Sequence, residues 1–294
     1  MIKNYIGKHR DSLPFCKIMV VGARGYIGAE VVRMLLSAGH QVYVPTRRAC
    51  ASTPNHANLH PYAYDGSTVD MFERLAAEVD LVVNCAGETR NPELFQVANV
   101  LFPGEMSDIC RDRDLKLIDL SSLGVFSGYT DGTIDKNTPL NPVGAYEESK
   151  SRYLSRLIAE GIDSQRHLVL MPSAVIGGQK GLGWKNATIV VLGYIGVGFK
   201  GKAGGSVGLH FCHIRDICAV VLQALENFEG GILILNETIH TDQIARIHNI
   251  ININLYLIGR YLTFIRTSKI YRILIDTRTF NSDVDMKHTQ ERFQ

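Results

Sequence analysis

The chain carries almost no net charge. Its 31 Lys and Arg residues are nearly balanced by 29 Asp and Glu, leaving +2, and the two signs are interspersed. That balance argues against nucleic acid and against a membrane surface as partners. Paired cysteines are lacking too: Cys16, Cys50, Cys85, Cys110, Cys212 and Cys218 form no C-x-x-C motif and stand apart in apolar runs. They read as reduced, packed thiols of a cytoplasmic protein. His210, Cys212 and His213 lie close together, but no second cluster completes a metal site and the stretch alternates as a strand does, so no metal is expected. Long apolar runs are missing as well. Val190 to Phe199 is broken by Gly193, Gly196 and Gly198, and nothing approaches the ~20 apolar residues of a spanning helix. Residues 1–16 are polar and basic, without the apolar centre of a secretion signal. There is no internal repeat and no low-complexity tract.

What is present is enough apolar material for one large core, or a core and a small lobe: 46% of 294 residues. Lys17 to Val21 reads as a buried strand ending at Gly22. A helix follows from Ala29 to Ala38, with Gly39 as its stop. Gln41 to Pro45 is a second strand, and Ser67 with Asp70 resembles a capping box for a helix running to Glu78. Strands are expected at Leu81 to Cys85, Lys116 to Ser121 and His167 to Met171, with a long helix from Ala145 to Ala159. Strands alternating with helices at this spacing imply a parallel sheet with crossovers on both faces. After Pro172 the character changes. Residues 177–209 are glycine-rich, 210–226 return to strand then helix, and Gly231 to Asn236 is a last buried strand. From Glu237 the chain is rich in Ile, Asn, Thr and Arg, with one glycine and no proline.

Gly22-Ala23-Arg24-Gly25-Tyr26-Ile27-Gly28 lies where the first strand gives way to the first helix. There the first glycine permits a tight turn, the second lets the backbone approach a pyrophosphate, and the third lets helix pack on strand. The helix N-terminus offers free N–H groups to phosphates. An acid at the end of the second strand would bind the ribose of NAD; here that end reads Val44-Pro45-Thr46-Arg47-Arg48, which favours NADP over NAD. Arg24 could approach the same phosphate, and arginine gives bidentate phosphate contacts. Solvated surface charge is the alternative for Arg47 and Arg48.

Tyr146 and Lys150 stand four apart on one helical face. A nearby ammonium favours the phenolate, so Lys150 is expected to lower the tyrosine pKa and ready Tyr146 to exchange a proton with a substrate hydroxyl or carbonyl. Upstream, Ser121 and Ser122 end a buried strand, where α/β sheets place their ligands. A serine there can share charge on the reacting oxygen, or merely cap the following turn.

Together these motifs resemble the extended short-chain dehydrogenase/reductase family of nucleotide-sugar epimerases, dehydratases and 4-keto reductases. The resemblance covers residues 17–236 and rests on Gly22 to Gly28, Asp65, Asn84-Cys85-Ala86-Gly87, Ser121 to Phe126, Tyr146 to Lys150, and His213 to Ile217. It implies a doubly wound Rossmann-type α/β sheet with a small C-terminal substrate lobe. The dinucleotide-binding domain would comprise 17–173 plus 210–236 and the lobe 174–209 plus 237–294, with 1–16 as an N-terminal extension. It further implies that Asp65 contacts the adenine, that Ala86 and Gly87 lie along the cofactor, and that Ser122, Tyr146 and Lys150 are catalytic. Pro172 and Ser173 would lie near the nicotinamide. Dehydratases of the family carry an acidic pair directly after the catalytic Ser or Thr; Leu123 and Gly124 stand there instead, which argues against dehydration. The arginine often found beside the proline is absent from Leu168 to Met171.

The expected function is NADP- or NAD-dependent hydride transfer at a carbonyl or carbinol carbon, on a nucleotide sugar as small-molecule substrate. Assembly as a homodimer is left open. Two rival readings remain: a catalytically silent dinucleotide-sensing regulator, and a relative whose substrate cleft no longer closes. The segment from Gly177 to Gly208 is expected to cover the nicotinamide, with Lys180, Lys185 and Lys202 toward the substrate diphosphate.

Overall fold

The computed structural model describes residues 15–46, 56–63, 68–129, 131–132, 134–135, 137–177, 208–240, 283–284 and 292–293. Arg47, Arg48, Asp65, Lys180, Lys185 and Lys202 lie outside the described residues, as does the expected cover from 178 to 207.

Five apolar runs dictate the sheet. Strands β1 (Lys17–Val21), β4 (Leu81–Asn84), β5 (Lys116–Leu120), β7 (His167–Pro172) and β10 (Gly231–Leu235) are buried along nearly their whole length. A strand that is apolar on both faces needs cover on both, which a parallel sheet with crossover helices supplies. Strands β2 (Gln41–Thr46) and β3 (Leu59–Ala63) alternate between buried and partly exposed residues and take one edge. Pro61 is tolerated in β3 because that strand pairs on one side only, with β2. Pro45 is tolerated in β2 because β1 pairs with Gln41, Val42 and Tyr43 and no further.

At the other edge the short β13 (Arg292–Phe293) runs antiparallel to β10. The order is β13-β10-β7-β5-β4-β1-β2-β3, with the other seven strands parallel. Chain order reverses between β1 and β4, the crevice where open α/β sheets bind ligands. A second sheet, β11-β9-β8, is built from β8 (Ala174–Ile176), β9 (Gly208–His213) and β11 (Glu237–His240). Two-residue strands β6 (Asp131–Gly132) and β12 (Asp283–Val284) pair with each other. Thus β9 joins the small sheet whereas β13, from the segment assigned to the lobe, joins the large one.

Helices cover both faces. On one, α1 (Tyr26–Ser37) and α5 (Ile214–Glu226) bury Val31, Leu35, Ile217 and Val221 against Ile18, Val20, Ile118 and Leu170. On the other, α2 (Thr68–Ala76) and α3 (Phe102–Asp112) bury Phe72, Leu75 and Met106 against Met19, Val82 and Leu117. Beside them α4 (Ala145–Glu160) buries Tyr153, Leu154 and Leu157 against Val169, Met171 and Ile232. Each fully buried aliphatic or aromatic side chain contributes about 1.5–3 kcal/mol. No helix among the described residues is long and apolar enough to cross a membrane.

Helix α1 stops at Gly39, whose φ of +93° turns the chain toward β2. His40 follows, 1% exposed, and neither ring nitrogen has a hydrogen-bond partner among the described residues. Burial lowers its pKa below 6.5. Through that range the unfolded chain takes up a proton that the folded chain refuses, so His40 costs no stability above the ordinary histidine pKa and subtracts from it as pH falls below about 6.5. We expect His40→Leu to flatten the fall in Tm between pH 7 and 5, relative to wild type. Parallel Tm-against-pH curves for the two proteins would overturn this assignment.

Candidate active site

The glycine loop is shaped by what its residues lack. Gly22 ends β1 with φ +75°, and a Cβ there would lie 2.6 Å from Ala86 N and from Cys85 C. A Cβ on Gly28 would run into the Gly22 carbonyl, so the first and third glycines are fixed by contact between backbones. Gly25 N–H donates to Gly22 O at 2.9 Å. Gly25 is the N-cap of α1; no side chain caps the helix there, and its first turn holds no acid. Its leading N–H groups therefore keep both donor capacity and partial positive charge. Arg24 and Gly25 are exposed, and Tyr26 and Ile27 half-buried. The Tyr26 hydroxyl donates to Gly177 O, at the end of β8.

The exit of β4 forms the facing wall. Asn84 accepts from Ala86 N–H at 3.0 Å and donates to Asp119 on β5 at 2.8 Å. Asn99 lies fully buried in a π-helical turn, Val97–Leu101, that leads into α3. Its oxygen accepts from Glu88 N–H at 2.9 Å, and its amide donates to Glu88 O and Ser149 Oγ. Gly87 is thereby held so that a Cβ on it would lie 3.2 Å from Asn99 Oδ1 and 3.3 Å from Lys150 Nζ. This cradle fits a dinucleotide: glycine backbone on both walls and an uncapped helix N-terminus between them.

Tyr146, Lys150 and Tyr153 lie on one face of α4. The Lys150 ammonium donates to Leu120 O at 3.0 Å. Burial lowers its pKa, while Asp119 and Cys85 favour its charge. Tyr146 is half-buried and meets the Phe95 ring edge-on at 6.0 Å. Its phenol is pushed up to about 12, first by burial and then by the Glu147 carboxylate, against a hydrogen bond from Ser122. The expected lowering by Lys150 is therefore corrected: the ammonium is turned to the end of β5, and desolvation governs the phenol. Glu147 finds room over Gly124 and Gly144, whose missing side chains leave it space.

Ser122 caps the turn Leu123–Phe126, its Oγ accepting from Gly124 N–H at 3.1 Å, and its hydroxyl lies near enough to the Tyr146 phenol to lower its pKa against the other causes. Buried Pro172 ends β7 in register with Leu235, and Ser173 N–H donates to Leu235 O. The structure thus brings Ser122, Tyr146 and Lys150 together on the same side as Ala86 and Gly87. Asn99, Asp119, Tyr153 and His167 were not anticipated. Their signal was polarity in the wrong place: an acid inside the apolar run Lys-Leu-Ile-Asp-Leu of β5, and an asparagine amid Val-Ala-Asn-Val-Leu.

Residues 18–235 match the NAD dependent epimerase/dehydratase family. A probable low-salt glycan biosynthesis reductase of Haloferax volcanii is 33% identical over 141 residues, 45% of each chain. The dTDP-4-dehydrorhamnose reductase of Mycolicibacterium smegmatis is 27% identical over 146 residues, 46% of this chain and 39% of that one. The aligned stretch spans less than half the length of these relatives. Among solved structures, Bordetella bronchiseptica WbmG in complex with NAD and UDP gives a TM-score of 0.63 at 18% identity, over 82% of this chain and 80% of that one. The UDP-glucuronic acid 4-epimerase from Bacillus cereus in complex with NAD gives 0.59 at 18% identity, over 81% and 83%. At such identities the likeness shows the fold. With well over half of its residues matched on a sheet of this order, the chain belongs to the NAD-dependent epimerase/dehydratase family, the extended short-chain dehydrogenases/reductases.

Proposed function

We propose that the protein is an NADP-linked reductase or epimerase acting at a carbonyl or carbinol carbon of a nucleotide sugar, with Tyr146 giving and taking the proton. One observation carries the reading: Tyr146 and the buried Lys150 ammonium share one face of α4, Lys150 lies against Gly87, and the Ser122 hydroxyl is near enough to Tyr146 to favour its phenolate. A nicotinamide dinucleotide held along Gly22, Arg24, Gly25, Tyr26, Ile27 and Gly28, and along Ala86, Gly87 and Pro172, supplies hydride exchange at its C4.

The chain's own residues handle the proton. A phenol pushed up to about 12 keeps its proton at neutral pH, so Tyr146 stands ready as an acid toward a carbonyl oxygen. A substrate oxygen inserted between Ser122 and Tyr146 would accept from both hydroxyls, sharing the negative charge that develops on it. Lys150 has N–H donors beyond the one given to Leu120 O, available to a ribose hydroxyl beside Gly87. A protonated acid at rest suits net reduction, and both curated relatives are named as reductases. Elimination finds no carboxylate at Leu123 or Gly124. The nucleotide sugar rests on the likeness to the dTDP-4-dehydrorhamnose reductase of Mycolicibacterium smegmatis and on the UDP held with NAD by WbmG.

The NADP preference rests on β2, Gln41–Thr46, which contains no acid, and on Arg47 and Arg48 directly after it. Asp65 is proposed at the adenine on the family resemblance.

Two outcomes test this. With NADPH and a panel of nucleotide 4-keto sugars, Tyr146→Phe should lower kcat by about 10²–10⁴-fold, with NADPH affinity nearly unchanged. Retention of more than about a tenth of kcat would remove Tyr146 as the acid. In direct titrations NADPH should bind more tightly than NADH, and Arg47→Ala should erase most of the difference by removing a charge-assisted contact. Equal affinities in the wild type would leave both arginines as surface charges.

A further inference from the structure

Asp119 is the least economical residue in the sheet. It sits on β5 between β4 and β7, 1% exposed, where the other buried residues of the strand are all leucine or isoleucine. One oxygen accepts from Asn84 Nδ2 at 2.8 Å. The other accepts from the Tyr153 hydroxyl at 2.6 Å and faces His167 Nε2 at 2.8 Å. Burial raises its pKa, but the bonds from His167, Tyr153 and Asn84 outweigh that and hold the carboxyl below the usual range, hence ionised. If fastening strands and helix were its whole task, apolar packing would serve as well, because a buried ion rarely stabilises more than a well-packed hydrophobe.

The partners show what the charge serves. Asn84 also holds Ala86 N–H, on the wall beside Gly87. Tyr153 is three residues beyond Lys150 on the same face of α4. Lys150 is itself buried, and its ammonium bonds the carbonyl of Leu120, next in sequence to Asp119. The titratable groups around this pair are Cys85 after β4, Cys110 on α3, His167 on β7, and Tyr153 on α4. Of these, Asp119 is the carboxylate that opposes the cost of burying the Lys150 charge.

We propose that Asp119 is a positioning residue of the reaction: its buried carboxylate is the counter-charge that keeps Lys150 an ammonium beside Gly87. Through Asn84 and Tyr153 it also locks the Ala86–Gly87 loop and α4 into one register. The proposal rests on the role given to Lys150 above, yet it can be read without substrate. A neutral Lys150 amine would lose the charge-assisted bond to the ribose, so cofactor affinity should fall as pH rises through the Lys150 pKa.

The experiment follows the fluorescence of bound NADPH and NADH against pH. Asp119→Asn should bind as wild type does near pH 6.5, yet about tenfold more weakly near pH 9, with the midpoint moved down by about one unit. Tyr153→Phe removes a tether and leaves the charge, so its midpoint should stay in place. In a Lys150→Met background, Asp119→Asn should cost no further affinity, whereas a merely structural aspartate would weaken both backgrounds alike. Should Asp119→Asn fail to fold by circular dichroism, Asp119→Glu takes its place: the charge is kept and the wild-type midpoint is expected. An unmoved midpoint in Asp119→Asn, a moved one in Asp119→Glu, or additive losses with Lys150→Met would each overturn the proposal. A moved midpoint in a protein that turns over no nucleotide sugar would sink the proposed reaction and leave the assignment of Asp119 standing.

Discussion

Everything at this site hangs on one approach between backbones, that of Gly22 to Cys85 and Ala86. Strands β1 and β4 are neighbours, but the chain leaves β1 for α1 on one face and β4 for α3 on the other. The two exits diverge from a common point, and the crevice between them is as narrow as the residue at that point permits. A side chain on Gly22 would overlap Ala86 N and Cys85 C, so either the exits would part or β1 would shift against β4. Most of the other distances follow from this one. The β4 exit, fixed against Gly22, is held by Asn84 and Asn99, and that in turn sets Gly87 against Lys150.

Helix α4 needs a separate anchor, since it lies over β5 and β7, beyond the glycine loop. Two sets of contacts compete for that role. Arg156 bridges Asp108 on α3 and Glu160 at 2.7 Å, with Arg111 joining the cluster. Those side chains are more than a third exposed, and surface pairs of this kind contribute about 0–1 kcal/mol. Leu154 and Leu157, fully buried beside Tyr153, contribute about 1.5–3 kcal/mol each. Packing wins on energy. It does not by itself fix rotation of the helix about its own axis, and the directional bond from Tyr153 to Asp119 does.

The order of strands and helices was legible because the central strands are mostly apolar and the helices carry the 3.6-residue period. The glycine loop and the Tyr–Lys pair were legible because each is a local motif. Two kinds of feature were not. Helix α1 begins at Tyr26, three residues before the apolar stripe of Ala29 onward, because its cap is the loop glycine itself rather than a polar side chain. Strand β8 begins two residues after Pro172, which had marked the end of β7; it exists by pairing with β9 across a long stretch of sequence, and a three-residue run advertises no such partner. The site shows the same divide. Tyr146 and Lys150 could be paired from spacing, and Ser122 singled out from Ser121 by the family resemblance, but the pKa of Tyr146 could not be read, because it depends on burial. The partners of Asp119 come from β4, β7 and α4, between 34 and 48 residues away, beyond the reach of any local pattern.

Two acidic side chains divide the electrostatic work at the site, and their placement explains how one helix can carry both a protonated phenol and a charged amine. Burial alone pushes both groups toward neutrality, raising Tyr146 and lowering Lys150. For the acid role proposed for Tyr146, that push is useful. Glu147, lodged over Gly124 and Gly144, adds to it. For the ammonium role proposed for Lys150 the same push is harmful, and Asp119 opposes it from within the sheet. The two carboxylates stand on different elements: Glu147 on the helix's own first turn, where the helix dipole favours an anion, and Asp119 on β5, bonded to Asn84, Tyr153 and His167. Without Asp119 the push on Lys150 would lose its opposing carboxylate, and without Glu147 the phenolate would be disfavoured by burial alone. The glycines at 124 and 144 therefore do more than turn the chain, since the room they leave sets where the first of these charges can stand.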